Sequence, residues 1–414
     1  MSKHLLNNLS RRRFLDFVSR GLIAGTGVVG VNSHLSPVLH PLINSQPSSQ
    51  TRSVYLSTFD PEYSTLTESV RTAMLAATNL DWLRLGDTVF VKVACNSNLG
   101  SPAVTSPGVL EGVVQLLQAA GAGTIYVGDM SGALFVRHLA TETIGSTREN
   151  MRQNGLLAAA EAAGATIHCF DEVPFEQAYI PGIPTGNHHW GTELQVAQIL
   201  DQVDHVINLP RLGKHVLAGA SLGLKNAIGW ISDHSRMVLH RDAATFHEKI
   251  VEVNSIPQLM EKTRLTLTLV DGILTTYGPD AGYRLALGKP LILASDDVAS
   301  HDQVALLTLL WARRKTPPVD LNEDPYPLQS NGMNWWFVRT TWGSDAATAY
   351  QDLPVFDNLA SIEAQTHINY AFDILNGGRP DTINVIRSGL TLDDDLVAEL
   401  THDPTLGIVL TDAN

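Results

Sequence analysis

Between Ser53 and Arg313, short apolar runs alternate with longer amphipathic stretches, and this rhythm constrains the fold more than any other feature. Ser64–Thr78 reads as an amphipathic helix. Thr88–Ala94 reads as a buried strand, Pro107–Ala120 as a helix, Thr124–Gly128 as a strand and Arg148–Ala163 as a helix. Strands follow over Thr166–Phe170 and His205–Leu209, with a helix between them over Thr192–Leu200. Leu265–Val270 and Pro290–Ala294 are further strands, and Val298–Arg313 is a helix. Ser106 sits where a helix takes its N-cap and Pro107 occupies the first helical position. Gly121 and Gly164 stand where helices close. Such alternation predicts an α/β fold, a mostly parallel sheet with helices on both faces.

In sheets of this kind ligands bind beyond the carboxyl ends of the strands. The expected ends carry Cys95-Asn96, Asp129, Asn208–Pro210, Asp271 and Ser295-Asp296-Asp297, polar residues placed directly after apolar runs. After Lys315 the texture changes to irregular, proline-bearing chain with Trp335, Trp336 and Trp342, then a helix over Ser361–Leu375 and a strand over Thr382–Ile386. The expected organisation is therefore a leader and linker over residues 1–51, an α/β domain over 52–315 and a C-terminal α+β appendage over 316–414.

Composition narrows the function. Apolar residues make up 44% and charged residues 17%, enough for a sizeable core, and the formal net charge is −14. With that charge and no basic cluster beyond the leader, the chain is not expected to bind nucleic acid. The two cysteines, Cys95 and Cys169, leave no ligand set for an intrinsic iron–sulfur cluster. They are either a disulfide or two buried thiols.

The first fifty residues read as a targeting segment. Ser10-Arg11-Arg12-Arg13-Phe14-Leu15 fits the twin-arginine pattern, and a weakly apolar, glycine-bearing run follows from Gly21 to Val31. That run is shorter than the ~20 apolar residues of a membrane span. The expected partner is the twin-arginine translocase, and the expected destination is the periplasm or exterior. Both a cleaved leader and an uncleaved one serving as a membrane anchor are compatible with the sequence.

The densest polar segment runs from Asn208 to Arg241, NLPRLGKHVLAGASLGLKNAIGWISDHSRMVLHR. Cations beside Gly219, Gly223 and Gly229 suit an anion pocket, since glycine lets backbone approach a ligand closely. Histidines add proton transfer or metal binding. Lys92 lies inside an apolar strand, where an ammonium needs a partner or a pocket. Asp129 orients a base, ligates a metal or caps a turn. Asp297 suits an N-cap, and His301 and Asp302 lie one turn on, where they could face the crevice. His188-His189 reads as surface loop.

Val89–Lys92, Ala119–Gly132, Val206–Gly229, Val270–Gly272 and Leu293–Asp302 together resemble the prokaryotic family known as domain of unknown function 362. That resemblance implies a fold rather than an activity. A weaker likeness joins His215–Lys225 (HVLAGASLGLK) and His240 to a loop of the nickel-pincer lactate racemases. There the first histidine is an acid/base, the lysine holds the cofactor and the later histidine binds nickel. Leu222 replaces one glycine of that pattern, and the family's aspartate-arginine-proline segment has no counterpart here. The resemblance thus implies shared ancestry more than a nickel cofactor.

The resulting expectation is an enzyme acting on a small anionic substrate, with a metal or organic cofactor left open. His215 would move a proton, Lys214 and Lys225 would hold the anion, and His240 would ligate a metal or act as a second acid/base. Lys92, Asp129, Asn226 and Asp271 would line the crevice. The alternative is a non-catalytic periplasmic factor that binds a ligand or metal for a partner.

Overall fold

The computed structural model describes residues 51–215, 217–242, 244–276, 278–280, 282–317, 339, 366–388 and 392–413. The expected leader over residues 1–50 and the tryptophans Trp335, Trp336 and Trp342 lie outside them.

The first half of the described chain follows the expected rhythm. Strand β1 (Thr51–Thr58) leads into helix α1 (Leu66–Ala77), which Thr65 opens with a reciprocal capping box to Glu68. Strand β2 (Val89–Val93) is buried throughout and is followed by α2 (Pro107–Ala119). Strand β3 (Ile125–Gly128) precedes α3 (Thr147–Asn154) and α4 (Leu156–Ala162). These two were expected as one helix. Gly155, at φ +90°, adopts the left-handed conformation open to glycine and breaks it. Strand β4 is confined to Thr166–Ile167, because the chain turns at Phe170–Glu172.

The expected helix over Thr192–Leu200 is not formed. Gln195–Ala197 instead pairs antiparallel with Tyr179–Pro181, and a 3-10 turn follows over Gln198–Asp201. Strand pairing there overrides helix propensity. Strand β5 (His205–Leu209) leads into a hairpin, β6 (Gly213–His215) and β7 (Gly219–Ser221), then into the single turn α5 (Gly223–Asn226). Helices α6 (Asp233–Arg241) and α7 (Phe246–Asn254) follow.

Strands β8 (Thr263–Leu274) and β9 (Arg284–Ser295) are longer than expected and form one antiparallel arm. Helix α8 (Val298–Arg314) is capped by Asp297, whose carboxylate accepts the Ser300 amide at 2.7 Å. Helix α9 (Thr366–Asn376), β10 (Thr382–Ser388), α10 (Asp394–Thr401) and β11 (Ile408–Asp412) complete the described chain.

The main sheet runs β11-β10-β1-β9-β8-β5-β2-β3-β4, with the β6–β7 hairpin attached to β8. Every pairing along this path is parallel except those of β9, which lies antiparallel to both β1 and β8. It runs against its neighbours, yet the register sets Ser295 beside Thr266 in the row of Asn208 and Lys92. The described part of the C-terminal region is no separate layer: β10 pairs with β1 and β11 with β10, extending the same sheet.

Alternation along β2 distributes its side chains between two cores. Val89, Val91 and Val93 pack with Met74, Leu110 and Leu117 on one face. Phe90 packs against Trp230 on the other, ring centroids 4.7 Å apart. Lys92 lies two residues beyond Phe90 and so faces the second core. Asn208 of β5, in register with Lys92, does the same.

Candidate functional site

The chain leaves β2 for β3 on one side and returns to β5 on the other, so the strand order switches direction between β2 and β5. Such a switch point is where open parallel sheets take ligands. Lys92 of β2 and Asn208 of β5 stand beside each other there.

Lys92 is fully buried, and its ammonium pairs with Asp129 at 2.7 Å and donates to the Val93 carbonyl at 2.8 Å. Asp129 also accepts the amides of Cys95 at 2.7 Å and Met130 at 2.8 Å. Burial lowers the Lys92 pKa and the Asp129 charge opposes that shift. Asn226 joins the two strands: its amide nitrogen donates to Asn208 Oδ1 at 2.8 Å, while its oxygen faces Lys92 Nζ at 3.5 Å. Lys92, Asp129 and Asn226 thus stand together, as the sequence suggested.

Residues beneath α5 fix where Asn226 and Lys225 sit. Asp302 accepts the first two amides of that turn, Gly223 at 2.8 Å and Leu224 at 2.7 Å. His301 is bonded to Asp302 at 2.9 Å through Nδ1 and to the Thr268 hydroxyl at 3.1 Å through Nε2. Both residues are buried. They hold α5 from the core side rather than face the crevice. Arg236 of α6 donates to the carbonyls of Ile228, Gly229, Met130 and Ser131, locking the segment after α5 onto the loop after β3.

The histidines take opposite tautomers. His215 ends β6, and its Nδ1 accepts the amides of Leu217 and Ala218, both at 3.1 Å. In the neutral ring the proton is therefore on Nε2. The hairpin closes at Gly219, whose φ of +75° favours glycine. On α6, the Nδ1 of His240 lies 2.6 Å from the Arg236 carbonyl, which can only accept, so Nδ1 carries the proton and Nε2 keeps its lone pair. Both rings are neutral at pH 7. Burial, then the charges of Lys225 and Arg211, hold His215 well below 6.5. Burial and then Lys225 bring His240 to about 4.

Lys225 is the group both histidines sense. It makes no hydrogen bond or ion pair among the described residues, and burial, followed by the charges of Arg236 and Arg211, lowers its ammonium to about 7. Lys214 is buried beside His215, its ammonium 3.4 Å from the His215 carbonyl. His215, Lys225 and His240 therefore form one electrostatic cluster beside the switch point, and Lys214 borders it.

Asp271 does not join it. It lies where the β8–β9 register shifts, one-third exposed, bonded to Ser101 at 3.1 Å and 4.0 Å from Arg284.

Four participants carried no local signal. Arg211, directly after Pro210, is buried and donates to the Pro279 carbonyl at 2.5 Å. Asp280, from the turn between β8 and β9, receives Asn96 at 2.7 Å on both oxygens. His247 and His367 stack with centroids 5.2 Å apart, and Lys225 lowers His247 as well, after burial, to about 4. Only their meeting in space marks them.

Among the described residues no three His, Cys, Asp or Glu side chains are placed to hold a metal ion. Cys95 and Cys169 are both free and buried, and burial pushes the Cys95 thiol up to about 12. No described helix is long and apolar enough to cross a membrane.

Residues 89–306 match a family model described as domain of unknown function DUF362. A thylakoid-associated protein of Synechocystis sp. is 28% identical over 233 residues, which is 54% of this chain and 63% of that protein. The match thus spans under two-thirds of that relative's length. Among solved structures, a Thermotoga maritima protein is similar at 15% identity and a TM-score of 0.35, covering 60% of this chain and 56% of its own. The lactate racemase apoprotein of Thermoanaerobacterium thermosaccharolyticum is similar at 12% identity and a TM-score of 0.34, covering 56% and 52%.

Proposed function

This chain belongs to the family of domain of unknown function DUF362, and from that premise we propose that it is an exported enzyme that moves a proton on a small anionic substrate. The observation that carries this reading is the pair of opposite tautomers, His215 and His240, around an unpaired Lys225.

Each residue has a role that follows from its protonation. His240 presents a bare Nε2 and acts as a base. His215 presents an Nε2–H and donates to an oxygen that gains negative charge, as a neutral imidazole can. Lys225, titrating at about 7, is matched to proton transfer at neutral pH in either direction. A half-buried cation without a carboxylate partner among the described residues also favours an anionic ligand beside it. His215 was expected to move a proton; its acceptor Nδ1 gives it the donor's part and leaves the base role to His240. Metal ligation by His240 has no supporting donor set among the described residues.

The twin-arginine pattern at Ser10–Leu15 supports export through the twin-arginine translocase to the periplasm. Replacing Arg11 and Arg12 by lysine should hold a tagged protein in the cytoplasmic fraction.

The catalytic reading is tested by incubating the protein in D2O with small carboxylates and phosphate esters and following C–H exchange by NMR. Exchange that vanishes in His240→Gln supports it. Tight one-to-one binding without exchange or turnover would favour a periplasmic binding factor instead.

A further inference from the structure

Arg211 is 4% exposed, and its Nη2 is buried without a hydrogen-bond partner. Nη1 donates to the Pro279 carbonyl, and no ion pair reaches the guanidinium among the described residues. Asp280 is near enough to oppose the effect of burial on Arg211, yet its own oxygens are bonded to Asn96. Leaving a charged donor buried and unbonded is costly, more so than for a neutral group. Arg211 reaches the catalytic cluster: the Pro279 it holds follows Gly278, where a Cβ would stand 3.0 Å from the His215 amide nitrogen, and its charge lowers both Lys225 and His215. Arg211 and Lys225 are thus two cations without carboxylate ion pairs among the described residues.

We propose that Arg211 is the substrate anchor, its unsatisfied guanidinium taking a planar monoanionic carboxylate, with Lys225 as the second cation of the site. The inference rests on the anionic-substrate reading above and names its substrate class. A guanidinium fork matches the two oxygens of a carboxylate, which a lysine ammonium cannot reproduce. The charge of the surroundings selects a monoanion. Asp280 already partly offsets Arg211, which leaves less positive charge to meet a second negative charge, as on phosphate.

The test titrates wild type, Arg211→Lys, Arg211→Gln and Lys225→Met with propionate, butyrate and inorganic phosphate, reading chemical shifts and melting temperature, with circular dichroism as the folding control. The expected result is carboxylate binding to wild type that weakens at least tenfold in both Arg211 variants, with phosphate weaker than either carboxylate. Retention of full carboxylate affinity in Arg211→Gln overturns the anchor, as does tenfold weakening in Arg211→Gln but none in Arg211→Lys. Preference for phosphate overturns the carboxylate class while leaving the anionic pocket standing. Failure of all three probes to bind wild type overturns both this inference and the anionic-substrate reading.

Discussion

Gly229 lies so close to Lys92 that a Cβ at residue 229 would stand 2.2 Å from the ammonium nitrogen and 2.4 Å from Asp129 Oδ1. The missing side chain is what admits the buried ion pair beneath the segment after α5. Lys92 cannot swing aside, because Asp129 and the Val93 carbonyl hold its nitrogen. Gly229→Ala should therefore destabilise the fold by about 2–4 kcal/mol, through overpacking and a strained ion pair. Urea unfolding measures this; a loss below about 0.5 kcal/mol would show that the pair adjusts freely.

The same pair makes a second prediction. Lys92→Met keeps the volume but leaves Asp129 buried without its cation, at a cost of about 3–5 kcal/mol. Asp129→Asn in that background removes the stranded charge and should recover a large part of the loss. A double-mutant cycle with purely additive effects would mean that the two groups do not stabilise each other.

Some of this organisation was legible in the sequence. Strand–helix alternation carried the parallel sheet, because apolar period and chain spacing are local properties. The interrupted apolar run at Lys92 marked a buried cation for the same reason. The direction of β9 was not legible, since an antiparallel strand has the same apolar pattern as a parallel one. The strand end expected at Asp271 was placed too early, because β8 continues through it to Leu274. Arg211, Asp280, His247 and His367 converge from segments far apart in the chain, and no periodicity records such a meeting.

Asp302 tests whether α5 is held from below. Asp302→Asn keeps the size but replaces one acceptor oxygen by a donor facing the Gly223 or Leu224 amide. Stability should fall by about 1–3 kcal/mol. In the proton-exchange assay, turnover should fall more than affinity does, because the displaced turn carries Lys225. Unchanged amide-exchange protection at Gly223 and Leu224 would refute the anchoring role.

The neutral histidines impose an acid limb on stability. His240, His247 and His367 titrate in the folded protein at about 4, about 4 and about 3, against 6.5 when unfolded. The unfolded chain therefore takes up protons first as pH falls below 6.5, and stability is lost from there down toward 4. Above 6.5 their contribution is complete. Denaturation midpoints at pH 7.5, 6 and 5 should decline in wild type and decline less in His247→Asn/His367→Asn. Parallel curves would place the limb elsewhere.

Lys225 has the opposite relation to stability and function. Its folded value of about 7 lies below the unfolded 10.5, so between those limits the unfolded chain holds more protons. Stability should then rise with pH from about 7 toward 10, as the penalty for a partly desolvated ammonium disappears. Lys225→Met removes that penalty at once. The variant should melt about 2–4 °C higher than wild type at pH 7 for each kcal/mol regained, and its stability should be flatter with pH. It should also lose anion binding and proton exchange. A residue that lowers stability at working pH and is required for exchange is retained for chemistry rather than packing. If Lys225→Met melts lower than wild type, the ammonium is stabilised by a partner, and the cluster loses its unpaired cation.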